Sequence, residues 1–226
     1  MAKESKKYAE SKKLYDDKKK YPLNEGIELL KSLPKAKFDE SVEVVLKLGI
    51  DPKRSEQMVR GSISLPRGIG KELKVVVFAK GEKAEEAKGA GAVEAGAEEL
   101  IKKVEGGWMD FDVAIATPDM MRQIGKLGRV LGPQGKMPSP KSGTVTEKIE
   151  EAVKEFKAGK IEYRNDAGGN VHALVGRVSF STKDLTENIE SFTNQILSSK
   201  PASAKGTFLQ KVTISSTMGP GIKLAV

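Results

Sequence analysis

The sequence predicts a protein of the mixed α/β and α+β classes, in which both ends of the chain form one domain and the middle forms another. A chain of 226 residues is long enough for two hydrophobic cores. Near-continuous apolar runs typical of buried parallel strands occur only in the middle of the chain, whereas the ends carry alternating apolar and polar runs. We therefore expect a split α+β sheet domain (residues 1–67 and 158–226) with an inserted Rossmann-like three-layer α/β domain (residues 68–157).

The first segment is predicted to contain two helices and two strands. Residues 5–20 are highly charged and indicate a helix or an arm, and Asn24 is a candidate N-cap for a helix over Glu25–Leu33 that ends before a proline. From Glu40 to Ile50 apolar and polar residues alternate, which is typical of a strand with one buried face. A second short strand is expected over Gly61–Leu65.

The middle segment alternates strands with helices. The runs LKVVVFA (73–79) and FDVAIAT (111–117) predict strands buried on both faces. Helices are expected over residues 82–89 and 97–104 and from Pro118 onward. A further helix is expected over residues 146–156, with Thr146 as its N-cap. This order is typical of an α/β sandwich.

The last segment returns to alternating strands. Residues 160–166 and 171–180 flank a Gly-Gly-Asn turn and predict a hairpin with a polar outer face. Residues 184–198 have the apolar spacing of an amphipathic helix, and residues 207–216 predict a final strand.

Composition excludes several classes of protein. There is no cysteine and a single histidine, His172, so thiol chemistry, disulfides and His- or Cys-based metal sites are not expected. The N-terminus lacks the apolar stretch of a signal peptide, and no run reaches the ~18 apolar residues of a membrane span, so we expect a cytoplasmic protein without membrane contact.

The positive charge lies in the two ends of the chain. Residues 1–67 carry 16 basic and 11 acidic residues, residues 68–157 carry 15 of each, and residues 158–226 carry 8 and 5, so the net charges are +5, 0 and +3. This partition indicates a polyanion-binding module joined to a neutral one. A net charge of +8 on the whole chain is also consistent with a role in solubility alone.

The alternative function is a nucleotide-using enzyme built on the middle domain, and its motifs are missing. No G-x-G-x-x-G follows either buried strand, and the segment around Gly135 and Lys136 has Val130 and Met137 where a phosphate-binding loop needs Gly and Ser or Thr. No paired carboxylates are recognisable, and the position of His172 in the predicted hairpin favours a structural role. We therefore expect no enzyme activity, no catalytic residues, no cofactor and no metal.

Three segments offer groups suited to nucleic acid. GKLGRVLGPQGKMPSPKSGTV (125–145) is predicted to be a long ordered loop that mixes cations with small residues, a pattern that fits phosphate contact and loop shaping equally well. SSTMGPGIK (215–223) brings hydroxyls, glycines and a methionine together, which suits RNA but favours an ordinary strand exit. Phe38 could stack on RNA, yet the pattern favours a core residue.

Several longer blocks resemble the L-one family of bacterial large-subunit ribosomal proteins, the protein of the ribosomal stalk. These blocks span the whole chain: AKFDESVEVVLKLGIDPKRSEQMVRGSISLP, GGWMDFDVAIATPDMM, KLGRVLGPQGKMPSPKSGTV, KAGKIEYRNDAGGNVHALVG and SSTMGPGIK. The resemblance implies a structural protein of the large ribosomal subunit that binds ribosomal RNA, takes part in release of exit-site tRNA, and represses translation of its own operon mRNA.

The resemblance also implies site residues. Contacts to ribosomal RNA, and to the operon mRNA, are expected from Lys37, Phe38, Ser41, Arg164, Asp166, His172, Thr217, Met218 and Gly219. Contacts to the tRNA elbow are expected from Arg54, Arg60 and Arg129.

Overall fold

The computed structural model describes residues 6–34 and 36–225. The strands of these residues are β1 (Ser41–Leu48), β2 (Arg60–Ser64), β3 (Val75–Phe78), β4 (Glu94–Gly96), β5 (Val113–Ala116), β6 (Lys160–Arg164), β7 (Asn170–Arg177), β8 (Leu209–Ser216) and β9 (Ile222–Leu224). The α-helices are α1 (Lys6–Leu14), α2 (Leu23–Ser32), α3 (Glu82–Gly89), α4 (Glu98–Glu105), α5 (Met121–Ile124), α6 (Gly128–Leu131), α7 (Ile149–Lys157) and α8 (Thr182–Ser198). Short 3-10 helices cover Ser55–Gln57, Pro118–Met120, Gly125–Leu127 and Pro140–Ser142.

The fold is mixed α/β, and the described residues form two compact units. One unit contains the residues up to Gly70 together with those from Ile161 onward, and the other runs from Lys71 to Lys160. The second unit is thus formed by one continuous stretch of chain, whereas the first is assembled from both ends.

The first unit is organised around a four-stranded sheet with the order β7-β1-β8-β9, all of whose neighbours are antiparallel. The alternation predicted for β1 is present, because Val42, Val44, Leu46 and Leu48 are all buried. Helices α2 and α8 pack together against this buried side, where the apolar stripe of α8 contributes Phe192. Strands β2 and β6 form a separate two-stranded sheet.

The second unit has a parallel three-stranded sheet with the order β4-β3-β5 and apolar cores on both faces. Val75 and Val77 of β3 pack with α3 and α7 on one face, and Val76 and Phe78 pack with α4 and the helical turns of residues 118–131 on the other. Both faces are buried because successive side chains of a strand point to opposite sides, which is why the sequence shows a continuous apolar run. The sequence analysis did not predict β4.

The predicted hairpin of residues 160–180 is present only at its turn, where the Asp166 N–H donates to the Asn170 carbonyl at 2.8 Å, and the expected pairing of its two strands along their length is wrong. Strand β6 pairs with β2 and β7 pairs with β1, and an isolated bridge between Asn165 and Val171 joins the two segments. Local turn chemistry suggested a hairpin, but the long-range partners of both strands determine the pairing.

The predicted helix caps are wrong as well. Helix α2 begins at Leu23 after Pro22, and the Asn24 side chain instead accepts a hydrogen bond from the hydroxyl of Thr186 at 3.1 Å. Helix α7 begins at Ile149, and the Thr146 hydroxyl accepts from the Lys148 N–H, before the first helical turn. Helix α1 ends at Leu14 and not at residue 20, and its predicted start at Ser5 lies outside the described residues.

Candidate nucleic-acid interface

Two loops meet at one end of the four-stranded sheet. Residues 36–40 lead into β1 and residues 217–219 follow β8, and they are adjacent because β1 and β8 are antiparallel with Val42 opposite Ser216. The Ser41 N–H donates to the Thr217 hydroxyl at 3.0 Å, and the Thr217 N–H donates to the Ser41 carbonyl at 3.1 Å. The sheet thus brings together two blocks that lie about 180 residues apart in the sequence.

A buried carboxylate links the two loops. Glu40 is 2% exposed, and it accepts one hydrogen bond from the Ala36 N–H at 2.6 Å and another from the Met218 N–H at 3.1 Å. Each loop therefore supplies one backbone donor to the same side chain. The sequence analysis missed Glu40, although it has the same parity as the buried residues of β1, and an acid at such a position is a usable signal.

The same loops expose two large apolar side chains. Phe38 is 55% exposed and Met218 is 66% exposed, so the preference of the sequence analysis for Phe38 as a core residue is wrong. Lys37 and Thr217, their chain neighbours, are exposed too. An aromatic ring and a thioether beside a cation and a hydroxyl suit a surface for RNA, where bases and sugars pack on flat apolar groups and polar side chains reach the phosphates.

Gly219 closes the turn after Met218. Its N–H donates to the Ser216 carbonyl at 3.1 Å, and a Cβ at this position would lie 2.4 Å from the Ser216 hydroxyl oxygen. A larger residue would require the Ser216 side chain to rotate away. Gly219 therefore leaves room for the Ser216 hydroxyl inside the turn that presents Met218.

Asp166 organises the turn between β6 and β7. Its carboxylate accepts hydrogen bonds from the Gly168 N–H at 2.8 Å and from both the N–H and the side-chain amide of Asn170 at 2.7 and 2.9 Å. These bonds, first of all that from the Asn170 side chain, lower the pKa of Asp166 from 3.8 to about 2. Asp166 thus acts on the shape of the turn.

His172 lies on the exposed side of the sheet, near the Asp166 turn. Its Nε2 atom is 3.5 Å from an Asp166 carboxylate oxygen, and both side chains are well exposed. The exposed residues of the neighbouring strands on this face include Glu43 of β1 and Lys211 of β8. His172 is therefore placed with polar side chains of the sheet and lies outside the Phe38 and Met218 loops.

Arg164 lies opposite Arg60 on the β2–β6 ribbon. The Asn165 N–H donates to the Val59 carbonyl at 3.0 Å, and this bond sets the register of the antiparallel pair, so that Arg60 faces Arg164. The two arginines are therefore neighbouring cations on one ribbon, although the sequence analysis assigned them to two different RNAs.

Arg54 lies beside an open groove at the end of β1 remote from Phe38. The groove has a volume of about 730 Å³ and also contains Lys47 and Lys205. Arg54 is 3.6 Å from the carboxylate of Asp51, and its side chain is largely exposed. This cluster is basic and open to a polyanion.

Arg129 belongs to the second unit, on α6, and is exposed. Residues 125–145 were predicted to be a long loop, and that prediction is wrong for residues 125–131, which form helical turns, whereas residues 132–139 contain no helix or strand. Lys136 of the same segment is not free for phosphate, since its ammonium donates to the carbonyls of Met109 at 3.2 Å and Phe111 at 2.6 Å. Its role is structural.

The described residues contain neither a cluster of metal ligands nor a membrane-spanning helix. In the part of the chain that the structure describes, no group of three or more His, Asp or Glu side chains is arranged to hold a metal ion. None of the helices in residues 6–34 and 36–225 is long and apolar enough to cross a membrane.

The chain is similar to known ribosomal proteins. A profile of the ribosomal protein L1p/L10e family matches residues 29–220, which include both loops and the arginine pair. The chain belongs to this family. It is also 59% identical over 224 residues to the large ribosomal subunit protein uL1 of Kosmotoga olearia, an alignment that covers 99% of this chain and 97% of that relative.

Membership in this family confirms the resemblance found in the sequence. It also makes the chain a structural ribosomal protein, which confirms the expectation that it is not an enzyme.

Proposed function

We propose that this chain is a component of the large ribosomal subunit in the cytoplasm and binds ribosomal RNA through its first unit. In this proposal the first unit is a split RNA-binding domain, and the second is an inserted Rossmann-like domain without catalytic activity. One observation carries the proposal. Phe38 and Met218, two of the most exposed apolar side chains of the described residues, lie on two adjacent loops that the buried Glu40 links through the Ala36 and Met218 N–H groups.

The chemistry of these loops suits a shallow RNA groove. Phe38 and Met218 offer apolar surface to sugars and bases, Lys37 offers charge to a phosphate, and the exposed Thr217 adds a hydroxyl, whose oxygen also accepts from the Ser41 N–H. Single exposed apolar residues are ordinary, but two large ones on adjacent loops are a feature that marks binding surfaces. RNA is the partner that also matches the net charge of the chain, +8.

The test is a titration of the whole chain with a labelled fragment of large-subunit stalk rRNA at several salt concentrations. A duplex RNA of equal length serves as competitor. Phe38→Ala is expected to weaken binding about tenfold. Leu197→Ala removes an apolar side chain that is 44% exposed on α8 of the same unit, and it should leave the affinity unchanged.

Two results would contradict this function. Equal affinity for the rRNA fragment and the duplex competitor would indicate binding by charge alone. Equal effects of the Phe38 and Leu197 substitutions would remove the two loops from the interface.

We further propose that the arginines contact exit-site tRNA. Arg60 and Arg164 oppose each other on the β2–β6 ribbon, and Arg54 lies at the basic groove with Lys47 and Lys205, so these positions offer phosphate sites away from the Phe38 and Met218 loops. Arg129 adds an exposed cation on the second unit. Contact with the tRNA elbow would couple this protein to release of deacylated tRNA.

The double variant Arg54→Gln, Arg60→Gln should lose tRNA crosslinking on the ribosome while keeping its affinity for rRNA. Retention of the crosslink would contradict the assignment.

Repression of translation from its own operon mRNA would use the same two loops. A leader RNA that presents the same groove as the rRNA should compete with it for one site. Competition with a stoichiometry of one RNA per chain supports this role, and simultaneous binding of both RNAs would contradict it.

A further inference from the structure

A small pocket adjoins Phe38 and is also lined by Ala36 and the buried Glu40, whose carboxylate accepts from the Ala36 and Met218 N–H groups. The strand order β7-β1-β8 places residues 217–219 on one flank of the Phe38 loop and residues 178–179, which follow β7, on the other. The pocket has a volume of about 220 Å³, and its walls include Phe38, Asp39, Val178 and Ser179. This volume lies below that of sites for drug-sized ligands, which indicates room for a single ring system.

The pocket combines an apolar ring with a fixed carboxylate. Asp39 Oδ1 accepts from the Ser179 N–H at 3.2 Å, and Oδ2 accepts from the Ser179 hydroxyl at 2.8 Å. The Arg177 guanidinium donates to the Asp39 carbonyl at 3.1 Å and lies 3.9 Å from Oδ2. These bonds hold the carboxylate in one orientation, while 39% of its side chain remains exposed.

An exposed carboxylate repels phosphate, so on a surface proposed to bind RNA it favours contact with a base over contact with the backbone. Each carboxylate oxygen has a lone pair beyond the one that Ser179 uses, so Asp39 can accept two more hydrogen bonds. Among the four RNA bases, guanine presents two adjacent donors on its Watson–Crick edge, the N1–H and the N2 amino group. Unpaired bases in RNA loops are commonly stacked on aromatic side chains and read on this edge.

We propose that this pocket receives one unpaired guanine of the bound RNA, which stacks on Phe38 and donates two hydrogen bonds to the Asp39 carboxylate. The inference rests on the proposed RNA-binding function, and it assigns a base preference to the same surface. Asp39 is the specificity-determining residue, and Ser179 and Arg177 are positioning residues.

The first experiment needs no knowledge of the RNA sequence. The whole ¹⁵N-labelled chain is titrated with guanosine, inosine, adenosine, cytidine and uridine monophosphates, and the amide signals of Val178 and Ser179 are followed by NMR. Guanosine monophosphate should bind roughly tenfold more tightly than the adenosine, cytidine and uridine nucleotides. Inosine monophosphate keeps the N1–H but lacks the amino group, so its affinity should be intermediate.

Two variants separate stacking from base reading. Asp39→Asn should abolish the preference for guanosine, because an amide offers only one acceptor oxygen to the two donors. Phe38→Leu should weaken all five nucleotides while keeping their order. Asp119→Asn makes the same charge change at an exposed carboxylate of the second unit and should change nothing.

The second experiment measures binding of the stalk rRNA fragment. The Asp39→Asn variant should bind this fragment about tenfold more weakly than the wild-type chain does. Equal shifts with every nucleotide, or no shift with any, would overturn the proposal. A guanosine preference with unchanged rRNA affinity of Asp39→Asn would identify a free-nucleotide site and would overturn the assignment to RNA. Failure of the wild-type chain to bind the rRNA fragment would instead contradict the proposed function, whatever the nucleotide result.

Discussion

Replacing Glu40 should uncouple the two loops without unfolding the sheet. The Ala36 N–H donates to Oε1 of Glu40 and the Met218 N–H to Oε2, and a glutamine has a carbonyl oxygen at only one of these two positions, so it keeps an acceptor for only one of the two donors. The remaining backbone donor would face an amino group. Glu40→Ala removes both acceptors and leaves both donors without their partner.

The magnitude follows from the number of bonds lost. A hydrogen bond to a charged group contributes about 1.5–3 kcal/mol, and Glu40 is buried, so solvent screening does not reduce this value. We expect Glu40→Gln to lower the free energy of unfolding of the first unit by about 2 kcal/mol and Glu40→Ala by about 4 kcal/mol. Ordering even one freed loop residue on binding costs about 1–2 kcal/mol, so the RNA affinity of Glu40→Gln should fall about tenfold.

Amide hydrogen exchange is the most direct assay, because it reports each loop separately. In Glu40→Gln the Met218 or the Ala36 amide should lose protection, while the amides within β1 keep theirs. Urea unfolding followed by far-UV circular dichroism gives the global effect. Because the chain has two compact units, its unfolding need not be a single two-state transition, and the local measurement is decisive.

The matched control is Glu190→Gln, the same substitution at an exposed position of α8 in the same unit. If Glu40→Gln leaves both amides protected, or lowers RNA affinity no more than Glu190→Gln does, the reasoning about the buried carboxylate is refuted.

Three other predictions concern separate parts of the interface. Met218→Ala should weaken rRNA binding by ~1–3 kcal/mol with the thermal transition unchanged, and an unaltered affinity would exclude this side chain as a contact that matters. Arg164→Gln should reduce the slope of log affinity for tRNA against log salt by about one, and an unchanged slope would contradict a phosphate contact there. The depressed pKa of Asp166 contributes stability that is fully present above its ordinary value of 3.8 and is lost as the pH falls toward about 2. The Gly168 and Asn170 amides should therefore lose exchange protection between pH 4 and about 2, and in Asp166→Asn this pH dependence should disappear; protection that persists below that range would contradict the role of the turn.

The sequence by itself determined the elements whose periodicity is strong. The alternation of β1 and the continuous apolar run of β3 follow from the two-residue repeat of a strand, and each pattern states how many faces of its sheet are buried. The family could also be recognised from the sequence, because several long blocks of residues resemble those of its members. The exposed loops at Phe38 and Met218 were identified through this resemblance, whereas the residue patterns alone favoured structural roles for both.

Only the tertiary structure decided which segments meet. The partners of β6 and β7 are far away in the sequence, so local turn residues could not reveal them. The bridge from Glu40 to Ala36 and Met218, the opposition of Arg60 and Arg164, and the pocket between Phe38 and Ser179 are all contacts between separate segments. A sequence lists the donors and acceptors that each segment carries, but the antiparallel register of the sheets determines which of them come within hydrogen-bonding distance.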